Sequence, residues 1–161
     1  MFIMTNVTSE YTLPDNFTST EISHQEAIET VIDSLQQNDS AMVHHDDQGY
    51  VWKFQYGSVE TYVQLTGETE EDLLTVWSPV LSLPAKDELG LMRKLLEMNG
   101  GETLETRFGI MNNQIVVLSQ RAVADLSPGE ISRAITLVAT IADDNDEKLI
   151  ETYGGNPIQN N

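Results

Sequence analysis

Cysteine is absent from this chain. Its absence excludes disulfides, thiolate nucleophiles and Cys-ligated zinc together, and it suits a reducing compartment, so the cytoplasm is the expected location. Positive charge is also scarce. Eight Lys and Arg stand against twenty-six Asp and Glu, a formal net charge of −18. A surface of that sign repels phosphate backbones and anionic headgroups, so neither nucleic acid nor membrane is expected as a partner. Arg93 and Lys94 are the only adjacent cations, too few for a groove that tracks a nucleic-acid backbone. No stretch approaches the ~18 apolar residues of a membrane span, and Met1-Phe2-Ile3-Met4 lacks both the basic flank and the sustained apolar run of a signal peptide. Without such a signal, the Asn-x-Ser/Thr triplets at Asn6, Asn16 and Asn38 are expected to be chance matches.

Catalytic signatures are missing too. Neither a phosphate-cradling P-loop nor Gly-x-Gly-x-x-Gly occurs, and Ser119 and Ser127 lack the Gly-x-Ser-x-Gly elbow of a nucleophile. Glu68, Glu70, Glu71 and Asp72 are paired carboxylates in a turn exposed to water, where two different pKa values are hard to maintain for acid-base work. His44, His45, Asp46 and Asp47 offer four metal ligands in a row, two imidazoles and two carboxylates. Neighbours on a strand point to opposite faces, however, and His24 would have to arrive from another element, so a solvated strand edge is expected. Asp143-Asp144-Asn145-Asp146-Glu147 lacks the glycine and the terminal glutamate of a calcium loop, which leaves the outward side of a helix or a break where the helix frays. No cofactor and no metal are expected.

What is present is an ordinary globular composition, 40% hydrophobic, in 161 residues. A chain of that length buries about 68–70% of its unfolded surface, enough for a core without staples. Residues 1–20, rich in Thr, Ser and Asn, show no period and read as a flexible arm, while 156–161 read as a short tail. Between them, residues 21–155 read as a single domain. Ser23-His24-Gln25-Glu26 forms a capping box ahead of a stripe of Ala27, Ile28, Val31, Ile32 and Leu35, predicting a helix to about Gln37. A short candidate strand near 41–45 leads through Asp46 to Gly49 into alternating Tyr50, Trp52, Phe54 and Tyr56. Strands over 59–65 and 73–81 follow, joined by connections too short for parallel crossovers.

Pro84 is expected to open a second helix with a stripe of Leu89, Met92, Leu95, Leu96 and Asn99, stopped by Gly100-Gly101. A hairpin comes next, with Leu104, Thr106, Phe108 and Ile110 alternating before an Asn112-Asn113 turn. Its second strand, Ile115 to Leu118, is apolar without a break and reads as covered on both sides. Ser127-Pro128-Gly129-Glu130 then starts a long one-sided helix reaching Gly154-Gly155. The fold class is α+β, with three long strands before the second helix: α-β-β-β-α-β-β-α, an antiparallel sheet with helices on one side.

That order, with Val51-Trp52-Lys53-Phe54, Leu83-Pro84-Ala85, MRKLLEM over Met92 to Met98 and DLSPGEISRAI over Asp125 to Ile135, resembles the bacterial YbjN-like family from about Ser23 to Tyr153. The family is described as regulators of sensory transduction. The resemblance implies a fold like that of the class I chaperones of type III secretion, which usually dimerise, and a surface that grips another polypeptide. It brings no catalytic motif and no site residues to transfer. Read from the residues, the candidates for partner contact are Tyr50, Trp52, Phe54 and Tyr56 on one strand face, with Leu89 and Met92 on the second helix, where Met98 joins them as a dimer seam; core packing also explains both groups and is the favoured fate of the aromatics, whose exposed remainder would meet the partner. The expected function is non-catalytic protein binding by a homodimer. The alternative is a small-molecule sensor or enzyme that uses polar groups such as Arg107 and His45 in a pocket between sheet and helices.

Overall fold

The computed structural model describes residues 21–159, so the expected arm over 1–20 lies outside the described residues. The elements run α1 (His24–Leu35), β1 (Met42–Asp46), β2 (Gly49–Tyr56), β3 (Val59–Leu65), β4 (Leu73–Ser82), α2 (Glu88–Asn99), β5 (Arg107–Met111), β6 (Gln114–Ala122) and α3 (Pro128–Tyr153). The short candidate strand is real and adds an edge to the three long ones. All pairings are antiparallel, in the order β1-β2-β3-β4-β6-β5.

Strict alternation in β3 sets the two faces. Val59, Thr61, Val63 and Leu65 are buried, whereas Glu60, Tyr62 and Gln64 between them are only partly covered. Register carries this parity across the sheet, since Trp52 pairs with Val63 and Phe54 with Thr61. The buried parity faces the helices. α3 supplies Ile131, Ala134, Ile135, Val138, Ala139, Ala142 and Leu149 to the core, and α1 adds Ala27, Ile28 and Ile32. Three alanines on the buried side of α3 keep its surface low, which favours close approach to the strands.

Two local devices shape the sheet. At Gly57 a φ of +54° makes the β2–β3 turn, and the Asp143 carboxylate of α3 occupies the space a β-carbon would need. In β4, Pro79 has no N–H to give to a ladder, and the register with β6 slips between Pro79 and Leu81. The β3–β4 ladder extends only to Tyr62–Trp77, so β4 forks away from the start of β3 beyond that pair.

α2 departs from its expected placement. Pro84 does not open it; Asp87 does, its carboxylate accepting from the Gly90 N–H at 3.0 Å. The buried stripe is Leu91, Leu95 and Met98, which share one side at i, i+4 and i+7. Leu89 and Leu96 consequently face outward. At the end of α2, Asn99 accepts from the Phe108 N–H at 2.7 Å and donates to its carbonyl at 3.2 Å, capping part of the outer edge of β5. In the run Ile115 to Leu118, Ile115 and Val117 are buried on the helix-facing side and Val116, 1% exposed, is buried on the other. Leu118 on the other face is half-buried.

α3 begins with the expected capping box. Glu130 N–H donates to Ser127 Oγ at 3.2 Å, Ser127 N–H donates to the Glu130 carboxylate at 2.9 Å, and Arg121 adds a bond at 2.7 Å. The Ser127 amide and the Arg121 guanidinium lower the Glu130 pKa from 4.5 to about 2. Its contribution to stability is therefore complete above 4.5 and is lost as pH falls from there through about 2. Ser127→Ala should cost about 1 kcal/mol, a fall in Tm of roughly 2–4 °C. Glu130→Gln should flatten the acid side of the Tm-against-pH curve. Differential scanning calorimetry of both variants over that range checks the two effects, and an unchanged acid limb in the glutamine variant would contradict the assignment. Among the described residues, no helix is long and apolar enough to cross a membrane.

Candidate protein-interaction surfaces

Tyr50, Trp52, Phe54 and Tyr56 lie on the helix-facing side of β2. Trp52 and Phe54 are buried there, while Tyr50 and Tyr56 pack against the core edge and stay partly exposed. Trp52 Nε1 donates to Glu29 at 3.4 Å. Tyr50 is stacked between His45, at 4.1 Å between ring centres, and Trp52, at 5.4 Å. A partner could therefore touch only the outer members of that row.

Among the described residues, no helix packs on the opposite face of the sheet. In register across all six strands it carries the row Met42, Lys53, Tyr62, Trp77, Leu118 and Arg107. Tyr62 and Trp77 stack at 5.2 Å with their planes 9° apart, and Lys53 Nζ lies 5.9 Å from the Tyr62 ring centre. Glu60 ties this patch together, meeting Lys53 at 3.0 Å and accepting from the Tyr62 hydroxyl at 3.0 Å. Burial first, and the Glu60 carboxylate second, push the Tyr62 phenol up to about 12, so it remains a neutral donor. The next row, His44, Val51, Gln64, Thr75 and Gln120, contains no carboxylate. Single-strand alternation marks both parities of β2 as plausible binding faces. Only cross-strand register brings Tyr62 to Trp77.

A second apolar surface lies along α2. Leu89 is 84% exposed and Leu96 71%, one heptad apart, with half-buried Met92 between them. Met98, proposed with them as a seam, belongs to the core. The helix holds Glu88, Arg93, Lys94 and Glu97, so its charges cancel, and Arg93 bonds Glu97 at 3.1 Å.

The remaining sequence candidates sort themselves by position. His44 and His45 point to opposite faces of β1, and His24 is held elsewhere by Glu68 at 2.6 Å and the Leu126 carbonyl at 3.1 Å. Among the described residues, no group of three potential ligands converges to hold a metal. Asp72 organises the β3–β4 turn, accepting from Thr66 Oγ1 and from Thr69 N–H and Oγ1. The Thr69 bonds chiefly, and Thr66 after them, hold its carboxyl below the usual range. Arg107 and His45 belong to the two outermost strands and do not converge. The acidic stretch of α3 needs a correction. Asp144 and Glu147 face outward, but Asp143 and Asp146 turn inward to the β2–β3 turn, where they share the single Ser58 hydroxyl at 2.9 and 2.7 Å and Asp143 also accepts from the Ser58 N–H at 2.8 Å. Helical period alone cannot show that a turn from another element covers one side of a helix.

A six-stranded antiparallel sheet with helices on one side and a bare aromatic face on the other defines an α+β fold of the type III secretion chaperone kind. The chain belongs to the YbjN family, whose profile matches residues 24–151 and whose description is "Putative bacterial sensory transduction regulator". Among solved structures it resembles a chain from the crystal structure of the ExsC–ExsE complex, with a TM-score of 0.51 and 18% identity, over 65% of this chain and 78% of that one. At that identity the likeness is one of fold. No curated protein sequence matches.

Proposed function

We propose that this chain is a non-catalytic, cytoplasmic regulatory protein that binds a client polypeptide on the bare face of its sheet and pairs with a second copy through α2. The carrying observation is the row Lys53, Tyr62, Trp77, Leu118 and Arg107, a half-exposed aromatic and aliphatic strip at the centre of a sheet face without helices. Aromatic side chains of this kind combine large contact area with few rotatable bonds, and they dominate the energetics of protein interfaces. On a chain of −18, the two rows described here hold Lys53 and Arg107 and no carboxylate, and Glu60 beside them is already met by Lys53, so a client meets little repulsion. The family description and the fold shared with a chain crystallised in a complex support a binding role.

Capture from native lysate with wild-type protein and with Tyr62→Ser/Trp77→Ser tests the reading. The double variant is expected to lose a client that the wild type retains, by tenfold or more in recovered amount, an effect of about 1.4 kcal/mol. Trp77→Phe should keep it. Circular dichroism confirms that the variants remain folded. An identical captured set for wild type and double variant would sink the assignment of this face.

A further inference from the structure

Among the described residues, no other strand fills the fork between β3 and β4 beside Pro79. That fork becomes one wall of a groove of about 500 Å³, whose other walls are the last turns of α3 and the C-terminal tail. The tail is held in place by Asn156, whose N–H and carbonyl pair with the backbone of Ser82 at 3.0 and 2.8 Å. Val59, Pro79, Val80, Ile150, Pro157 and Ile158 make the groove apolar, and Asp146, Glu147 and Glu151 of α3 stand along it.

No lysine or arginine lines this groove. Glu60 at its mouth already meets Lys53 and Tyr62, but among the described residues Asp146, Glu147 and Glu151 form no ion pair. Asp146 is the informative one. It is only 8% exposed, and its partners are the Ser58 hydroxyl and the Glu147 amide, neither of which carries charge. Buried carboxylates are ordinarily matched by a cation, and a cation brought here from outside would sit beside three carboxylates with its hydrocarbon stem on the apolar floor.

We propose that this groove takes a basic, partly apolar segment of the client polypeptide, an arginine or lysine flanked by aliphatic residues. The inference rests on the protein-binding reading above and extends it. Glu60 lines the groove and also stands on the sheet face opposite the helices, beside Lys53 and Tyr62, so one extended segment can run from that face into the groove. The volume suits side chains of a peptide, and the apolar floor selects against a bare polyamine. Like charge argues against a second copy of this acidic chain as the occupant.

The test uses a fluorescein-labelled peptide of arginine and leucine, and a control peptide of arginine and serine, with anisotropy read at one fixed ionic strength. Glu147→Gln with Glu151→Gln is expected to weaken the arginine–leucine peptide by about tenfold or more. Glu70→Gln with Glu71→Gln removes the same charge from the β3–β4 turn and should change affinity by less than about twofold, because exposed charges a Debye length away are screened. Ile158→Ser should weaken the leucine peptide and leave the serine peptide unchanged. Equal losses from the two glutamate pairs, or no preference for leucine over serine, would mean diffuse charge attraction and would overturn the proposal. So would failure of the wild type to bind either peptide. If the groove pair has no effect while Tyr62→Ser/Trp77→Ser still abolishes client capture, the groove is wrong and the binding face stands. If the groove pair weakens the peptide while the face variant captures normally, the face is the part that fails.

Discussion

Phe54→Ala lowers the free energy of unfolding by about 3–5 kcal/mol. The Phe54 ring is 0% exposed and lies on the helix-facing side of β2, paired across the strand with Thr61, itself fully buried. Removing it costs both the transfer free energy of the ring and the cavity left behind, since α3 and the strands collapse only partly into the space. Against a total stability of about 5–15 kcal/mol for a domain, the change is a large fraction. Urea unfolding followed by fluorescence should show a lower midpoint with an unchanged slope. Val51→Ala and Gln55→Ala, on the opposite parity of the same strand, should each stay within about 0.5–1 kcal/mol of wild type. A loss below about 1 kcal/mol for Phe54→Ala would mean that the helix-facing side is not packed as described.

Leu89→Glu combined with Leu96→Glu is expected to convert a dimer into a monomer, raising the dissociation constant by at least about a hundredfold. A chain of −18 resists self-association over most of its surface, and α2 is one exception among the described residues, because its two acidic and two basic residues cancel. Its outward leucines stand one heptad apart, so two copies can set both residues into one seam with Met92 between them. Four carboxylates placed in that seam would repel and stay hydrated. Light scattering at micromolar concentration should give twice 18.0 kDa for the wild type and 18.0 kDa for the variant. Because both leucines face outward, the variant's circular dichroism and folding should be preserved. A wild-type mass of one chain, or a variant that remains paired, would remove α2 from the interface.

Much of the fold was legible from local pattern. The capping boxes at Ser23 and Ser127 each need only four consecutive residues, and both formed. The alternations in β2 and β3 need only the period of a strand. α2 was harder to read, because Leu89, Met92 and Leu96 make as plausible a stripe as Leu91, Leu95 and Met98. Which side is buried depends on where the outer edge of β5 lies and on the bonds Asn99 makes to Phe108. The aromatic row of β2 posed the same problem in another form. Its period announced two faces, and the helices happen to cover the aromatic one, leaving Lys53 and its neighbours bare.

By itself the sequence determined the α+β class, the order and type of the elements, the chain's strong acidity and its family, since each follows from composition or from residues close together along the chain. Only the tertiary structure decided that Tyr62 meets Trp77, that Asp146 turns inward onto Ser58, and that the break at Pro79 opens a groove beneath the end of α3. Those facts depend on cross-strand register and on which parity the helices cover. A chain's local periods leave both open, because a strand's two faces are equivalent until another element packs on one of them.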